Sequence, residues 1–162
     1  NPVIFLENEI LYGHSFPVPR VDDHIVPIGR AKVVRAGDAA TIVSFSIGMT
    51  YAMKAAEALA ADGIQVEVID LRTIRPMDTA TVVESVKKTG RLVTVEEGWP
   101  QHGVAAEVGI RIVEGAFDYL DAPPVRVCGK DVPMPYAANL EKLALPSVEE
   151  VIAAVKSVMY VS

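Results

Sequence analysis

The chain has 162 residues, 51% of them hydrophobic, with 15 basic and 21 acidic side chains for a formal net charge of -6. That is long enough for one domain with a real core, and too apolar for a disordered tail. The acidic balance argues against a general nucleic-acid binder and against a protein held to an anionic membrane, since both need a basic field. No apolar run approaches the ~20 residues that cross a bilayer. Cys128 is the single cysteine, which excludes an internal disulfide or a cysteine-based zinc site and suits a reducing compartment.

Asn1-Pro2 leads straight into Val3-Ile4-Phe5-Leu6, an apolar run expected to form a strand. Chain ends are usually surface segments, so this start is read as the C-terminal part of a longer polypeptide. Residues 12–27 hold three prolines and scattered charges without periodicity, the pattern of a long connector, and the main domain is expected from Ile28. Lys32–Arg35 and Thr41–Phe45 read as strands around Ala36-Gly37-Asp38, and the expected pairing is an antiparallel hairpin.

Beyond this point strands and helices alternate. Met49, Ala52, Met53, Ala56, Leu59 and Ala60 follow helical spacing, with Gly63 placed to end the helix. Val66–Ile69 is a short strand. Asp78 is placed to cap a helix bearing Val82, Val83 and Val86, with Lys87 and Lys88 at its negative end. Leu92–Val95 is a strand, and a helix with Val104, Ala105, Val108 and Ile112 on one face follows. Val125–Cys128 is the last strand, and Ser147 with Glu150 forms a capping box for a final helix carrying Val151, Ile152, Val155, Val158 and Met159. This alternation predicts a mostly parallel sheet with helices on both faces and one antiparallel edge strand.

The loop Gly98–Gly103 has the best position for chemistry, at the carboxyl end of a strand of a parallel sheet. It gathers Glu96, Glu97, Trp99, the sole tryptophan, and His102, one of three histidines. No second catalytic group is fixed beside His102, and His14 and His24 have no metal-ligand spacing to it. Ser46-Ile47-Gly48-Met49 joins strand to helix without the spacing of a P-loop or dinucleotide fingerprint. Arg72 and Arg75 occupy another strand-to-helix loop, where they either bind an anion or pair with carboxylates such as Asp78 or Glu96. Asp131–Tyr136 holds two prolines that stiffen it, as a binding edge or simply as a loop. These residues make no complete catalytic set. They describe an α/β domain that works with partners.

Taken together the loops are more specific. Leu6-Glu7-Asn8-Glu9 with Tyr12-Gly13, and Leu71–Asp78, resemble the beta subunits of thiamine-dependent 2-oxo acid dehydrogenases. Glu96–Gly103, Leu120-Asp121-Ala122-Pro123 and Asp131–Tyr136 are similar to the acetyl-transferring pyruvate dehydrogenase branch, whereas branched-chain counterparts differ at the Trp99 and Met134 loops. The resemblance runs the length of the chain. It implies that residues 1–27 are the last strand of a preceding pyrimidine-binding domain plus a connector. Residues 28–162 would be a transketolase-type C-terminal domain, a three-layer α/β sandwich with a five-stranded, mostly parallel sheet and one antiparallel strand.

In the intact enzyme of that family pyruvate is decarboxylated on thiamine diphosphate and the acetyl group passes to lipoyl. The resemblance places the catalytic histidine and the activating glutamate in the preceding domain, and the diphosphate and magnesium on the alpha subunit. No catalytic or cofactor-binding residue is therefore expected in this chain, which alone would be inactive. Two roles carry over: Asn1 matches the last ligand of a potassium site, and Asp121 matches a contact to the subunit-binding domain of the dihydrolipoyl acetyltransferase core. The implied partners are the alpha subunit and a second beta subunit, in a heterotetramer, together with that core. The implied compartment is the cytoplasm of a bacterium or the mitochondrial matrix of a eukaryote. Mammalian members carry phenylalanine at the position of His102, so that histidine is not expected to be essential, and the ending Tyr160-Val161-Ser162 does not match the family's. The rival readings are a free-standing protein-binding module and a sister acetoin or branched-chain dehydrogenase.

Overall fold

Valine, isoleucine and threonine supply at least half of every strand in this computed structural model, which describes residues 2–161. Branched at Cβ, they fit a pleated and buried surface. The strands are β1 (Lys32–Arg35), β2 (Thr41–Ser44), β3 (Glu67–Asp70), β4 (Leu92–Val95) and β5 (Val125–Val127). The helices are α1 (Gly48–Ala61), α2 (Thr79–Thr89), α3 (Val104–Ala116), α4 (Ala138–Ala144) and α5 (Val148–Met159).

The five strands form one sheet in the order β1-β3-β2-β4-β5. β1 runs antiparallel to β3, and the other three pairings are parallel. The expected sheet is the observed one. The expected hairpin is not: β1 pairs with β3, matching Lys32 to Asp70, while β2 lies on the other side of β3, matching Thr41 to Glu67. Residues 36–40 cross over the amino end of β3, where the Asp38 and Ala39 amides donate to Gln65 O at 3.0 and 2.9 Å. Glycine is required at this crossing, because a Cβ on Gly37 would lie 2.3 Å from the Val66 carbonyl carbon. The strand contents explain the outcome. β2 is buried along its whole length and takes a central position, whereas β1 is half exposed and suits an edge.

Right-handed crossovers then fix the layers. The step from β2 to β3 runs one way across the sheet and the steps from β3 to β4 to β5 run the other way. α1 therefore covers one face, with α5, and α2 and α3 cover the opposite face. Alternate residues divide between two cores. Ile42, Val68, Val93 and Val127 meet Ala52, Leu59, Val151 and Val155, while Val43, Ile69 and Leu92 meet Val82, Val86, Val108 and Ile112. Each large side chain so buried contributes about 1.5–3 kcal/mol.

The helix signals operate as the sequence predicts. Asp78 accepts from Thr81 N at 3.2 Å, and Ser147 and Glu150 form the reciprocal capping box at 3.1 and 2.9 Å. Two segments depart from expectation. Val3–Leu6 joins no ladder among the described residues and is exposed, since an apolar run makes a strand only where a neighbouring strand offers its amides and carbonyls. α4 interrupts what reads as loop. It has seven residues and buries only Ala144, so it leaves no amphipathic pattern.

Candidate functional site

The direction of chain progression reverses between β2 and β4, so the loops that leave them diverge, as at the ligand crevice of other α/β sheets. The loop Gly98–Gly103 borders this point. At its root Glu96 is 5% exposed, and its carboxylate accepts from the first amides of α3, Val104 N at 3.1 Å and Ala105 N at 2.9 Å. A helix N-terminus is a ready anion site, and here the chain fills it with its own carboxylate. The loop is wrapped so tightly on that carboxylate that a Cβ on Gly103 would lie 2.2 Å from Glu96 Oε1 and 2.6 Å from Trp99 O. Gly129 N donates to Gly98 O at 3.0 Å, and Arg126 holds Pro100 O. What remains at the surface is Trp99, 53% exposed, and His102, which has a left-handed backbone (φ 59) and is also exposed.

Glu97 turns to the other face and accepts from the Tyr51 hydroxyl at 2.7 Å. Burial, then that bond and charge, push the Tyr51 phenol up to about 12. Cys128 lies behind the loop, where burial and the Glu96 charge raise its thiol. On the β2 side α1 starts without a side-chain cap, and Ser44 Oγ beneath Gly48 donates to Val95 O at 2.7 Å. Among the described residues no group of carboxylates, histidines and cysteine is arranged to hold a metal ion. No helix among them is long and apolar enough to cross a membrane.

The carboxylates that the sequence reading named as partners for the arginines are not the ones they meet. Among the described residues neither Arg72 nor Arg75 forms an ion pair with Asp78 or Glu96. Those carboxylates are taken by closer amides: Asp78 accepts from Ala31 N at 3.0 Å as well as from Thr81. Arg72 is exposed with φ 57, and its amide donates to Asp70 Oδ1 at 3.0 Å. Burial raises the Asp70 carboxyl, against the Arg72 amide and charge.

Asp121 lies at the other end of the sheet, before β5. Its amide donates to Gly90 O at 2.8 Å, and its side chain, 59% exposed, meets the Arg91 guanidinium at 3.4 Å. Arg91 also donates to Val158 O at 3.1 Å and to Ala39 O at 3.4 Å. Sequence reasoning missed Arg91, because a single arginine before a strand carries no pattern. The structure thus separates Asp121 from the Gly98 loop by the length of the sheet, and Asn1 lies outside the described residues.

A family model described as the C-terminal domain of transketolase matches residues 29–151. The "Pyruvate dehydrogenase E1 component subunit beta" of Rhizobium meliloti (strain 1021) is 69% identical over 160 residues, 99% of this chain and 35% of the relative. The Rickettsia felis counterpart is 61% identical, over 100% of this chain and 49% of the relative, and the mitochondrial beta-1 subunit of Arabidopsis thaliana is 57% identical, over 99% and 45%. The chain therefore spans a third to a half of the length of the curated relatives it matches. A solved structure titled "Split gene transketolase, inactive beta4 tetramer" superposes with a TM-score of 0.74 at 30% identity, covering 90% of this chain and 46% of that one. Sheet order, layer arrangement and these matches agree, and the chain belongs to the transketolase C-terminal domain family, with whole-length similarity to pyruvate dehydrogenase E1 beta subunits.

Proposed function

We propose that this chain is the C-terminal part of the beta subunit of a thiamine-dependent pyruvate dehydrogenase component, which decarboxylates pyruvate and passes the acetyl group to lipoyl. The observation that carries this reading is 69% identity across 99% of the chain to a subunit of that name. Within it, residues 1–27 close a preceding pyrimidine-binding domain and lead into the domain that begins at residue 28. The segment serves subunit assembly and docking to the acyltransferase core, and its compartment follows its source, bacterial cytoplasm or mitochondrial matrix.

The carboxylates present do not fit a magnesium ion. The carboxylates at the carboxyl edge of the sheet are already engaged, Glu96 and Asp78 by backbone amides and Glu97 by Tyr51. Thiamine diphosphate and magnesium would be held by the alpha subunit and the preceding domain, and a potassium ion near Asn1 would need ligands from that domain as well. Asp121, fixed by Arg91 yet largely exposed, is the proposed contact to the core's subunit-binding domain.

Calorimetric titration of thiamine diphosphate and magnesium into the 162-residue chain is expected to give no saturable binding. The same titration into the chain joined to its preceding domain and mixed with an alpha subunit is expected to show binding and pyruvate turnover. Micromolar cofactor binding by this chain alone would overturn the assignment.

A further inference from the structure

The corner where β3 ends and β1 begins holds four cations that close no ion pair among the described residues. The sheet sets Lys32 opposite Asp70. Two bonds fasten the approach to β1 onto the loop after β3: Gly29 N donates to Thr73 Oγ1 and Ala31 N to Asp78 Oδ2, each at 3.0 Å. Pro76 packs into the same join, since a Cβ on Gly29 would lie 3.0 Å from its ring. Arg30 and Lys32 are thereby brought to the loop that carries Arg72 and Arg75, and all four side chains are exposed. The carboxylates of these segments, Asp70 and Asp78, are engaged by backbone amides, the first by Arg72 N at 3.0 Å and the second by Ala31 N and Thr81 N. The charges of Arg72 and Lys32 reach Asp70, and that of Arg30 reaches Asp78. Elsewhere Lys88, Arg91 and Lys130 each meet a carboxylate directly.

We propose that this corner docks an extended acidic segment of another protein chain. Residues 28–32 and 70–78 carry four basic groups against two acidic ones, on a chain whose formal charge is -6. An acidic partner is repelled by the chain as a whole and attracted here, which fixes where it lands. The local structure also selects among anions. A small phosphate is held by free amides at a helix start, and those of α2 are taken by Asp78. A nucleic acid gains from aromatic rings on which its bases stack, and residues 28–32 and 70–77 contain none. Between the two loop arginines stands Ile74, 38% exposed. Cations around an apolar contact suit carboxylates around an apolar side chain, and each arginine fork can hold a carboxylate by two bonds.

The inference does not rest on the pyruvate dehydrogenase reading, and the 162-residue chain itself tests it. The probe is an oligoglutamate peptide with a central leucine, titrated into isotopically labelled chain and followed by nuclear magnetic resonance. At about 20 mM salt, where charge reaches roughly 20 Å, amide shifts should saturate and concentrate in residues 28–32 and 70–77. At about 200 mM, where it reaches roughly 7 Å, binding should weaken at least about threefold. Arg72→Gly separates docking from folding. Arg72 has φ 57, a backbone that favours glycine, so this variant should keep or raise Tm while its dissociation constant rises about threefold. Arg72→Gly combined with Arg75→Gln should raise it about tenfold, as the loss of two exposed pairs would. Lys142→Gln removes a charge from α4, which follows the opposite edge strand, and should change binding less than about twofold. No saturable shifts at low salt, shifts centred on other residues, equal affinity of the double variant, or an equal loss in Lys142→Gln overturns the proposal. So does displacement of the peptide by inorganic phosphate beyond that by sodium chloride at equal ionic strength, which would make the corner a small-anion site. Tighter binding of oligothymidylate than of the peptide would assign it to nucleic acid and overturn the proposal as well.

Discussion

The two ends of the sheet are held by opposite charges. Of the helices that begin at the carboxyl edge, three have a carboxylate on amides of their N-terminal turn, Asp78 for α2, Glu96 for α3 and Glu150 within the capping box of α5, whereas α1 begins without a side-chain cap. At the amino edge helices end, and cations gather there. Arg91 donates to Val158 O in the last turn of α5, and Lys87 and Lys88 close α2. Both arrangements complement the helix dipoles. They differ in burial: Glu96 is enclosed, whereas the Arg91–Asp121 pair is half open to water. The lesson concerns function as much as stability. At the edge where such folds usually bind anions, the starts of α2 and α3 are filled by the chain's own carboxylates, and the opposite edge carries a charged pair that is partly open to water.

The largest expected effect is at the enclosed end. Glu96→Ala strands two amides that were bonded to a buried carboxylate, and should cost about 3 kcal/mol, a fall in Tm of roughly 6–12 °C for a domain of this size. Glu96→Gln keeps an acceptor for one amide and should cost less. Chemical denaturation monitored by circular dichroism gives both values, and equal stability of Glu96→Ala and wild type would remove the enclosed carboxylate from the account. At the open end Arg91→Ala removes bonds to carbonyls of α5 and the β1–β2 crossing, with an expected loss of about 1–2 kcal/mol. If Arg91→Ala proves the more damaging, the ranking of the two ends is reversed.

Acid sharpens the comparison further. Burial works to raise Asp78 and Glu150, but bonds from Ala31 and Thr81 to the first, and from Lys130 and Ser147 to the second, hold them below their ordinary 3.8 and 4.5. A carboxylate lowered in the folded state adds stability that is complete above its unfolded value and is lost as pH falls through the folded one. Stability should therefore decline below about pH 4.5, and Asp78→Asn should flatten that decline. Asp70, raised by burial, acts in reverse: its charged form costs stability, and protonation relieves the cost. Asp70→Asn should steepen the acid decline. Tm measured between about pH 3 and 7 reads both slopes, and parallel curves for the two variants and wild type would show that these carboxylates are not what links folding to pH.

Much of this organisation is legible in the residues, for reasons of range. The cap at Asp78, the box at Ser147 and Glu150 and the stop at Gly63 are local chemistry, settled within one turn of helix. The sheet's composition follows from the alternation of strand and helix. The path from β1 to β2 is not legible, because Ala36-Gly37-Asp38 looks the same whether the chain folds back or crosses a third strand, and only the fuller burial of β2 decides between them. The loop Gly98–Gly103 was found by position, yet its chief residue, Glu96, works through amides of a helix eight and nine residues on, a geometry with no sequence signature. Arg91 is the extreme case, since its partner Val158 is distant in sequence.

The smallest expected change in stability is at Asp121, and there the open end is tested for function. The side chain is 59% exposed and its contact to Arg91 is long, at 3.4 Å. A pair so open to solvent contributes about 0–1 kcal/mol, so Asp121→Asn should shift Tm by at most about 4 °C. Its amide bond to Gly90 O does not depend on the side chain and persists in the variant. Docking has a different scale. If the carboxylate is desolvated against a basic subunit-binding domain, its removal strands the partner's cation and weakens binding by ~2–5 kcal/mol. Surface plasmon resonance of the longer beta protein against that domain, at low and high salt, is expected to show Asp121→Asn binding more than tenfold more weakly at low salt, since ~2 kcal/mol exceeds one decade, with a smaller gap at high salt. Arg91→Ala supplies the control, because it frees the Asp121 carboxylate from its intramolecular partner and should leave docking intact or tighter. Unchanged affinity of Asp121→Asn at both salts, with a lowered Tm, would instead make the residue a fastener of the turn between Gly90 and β5.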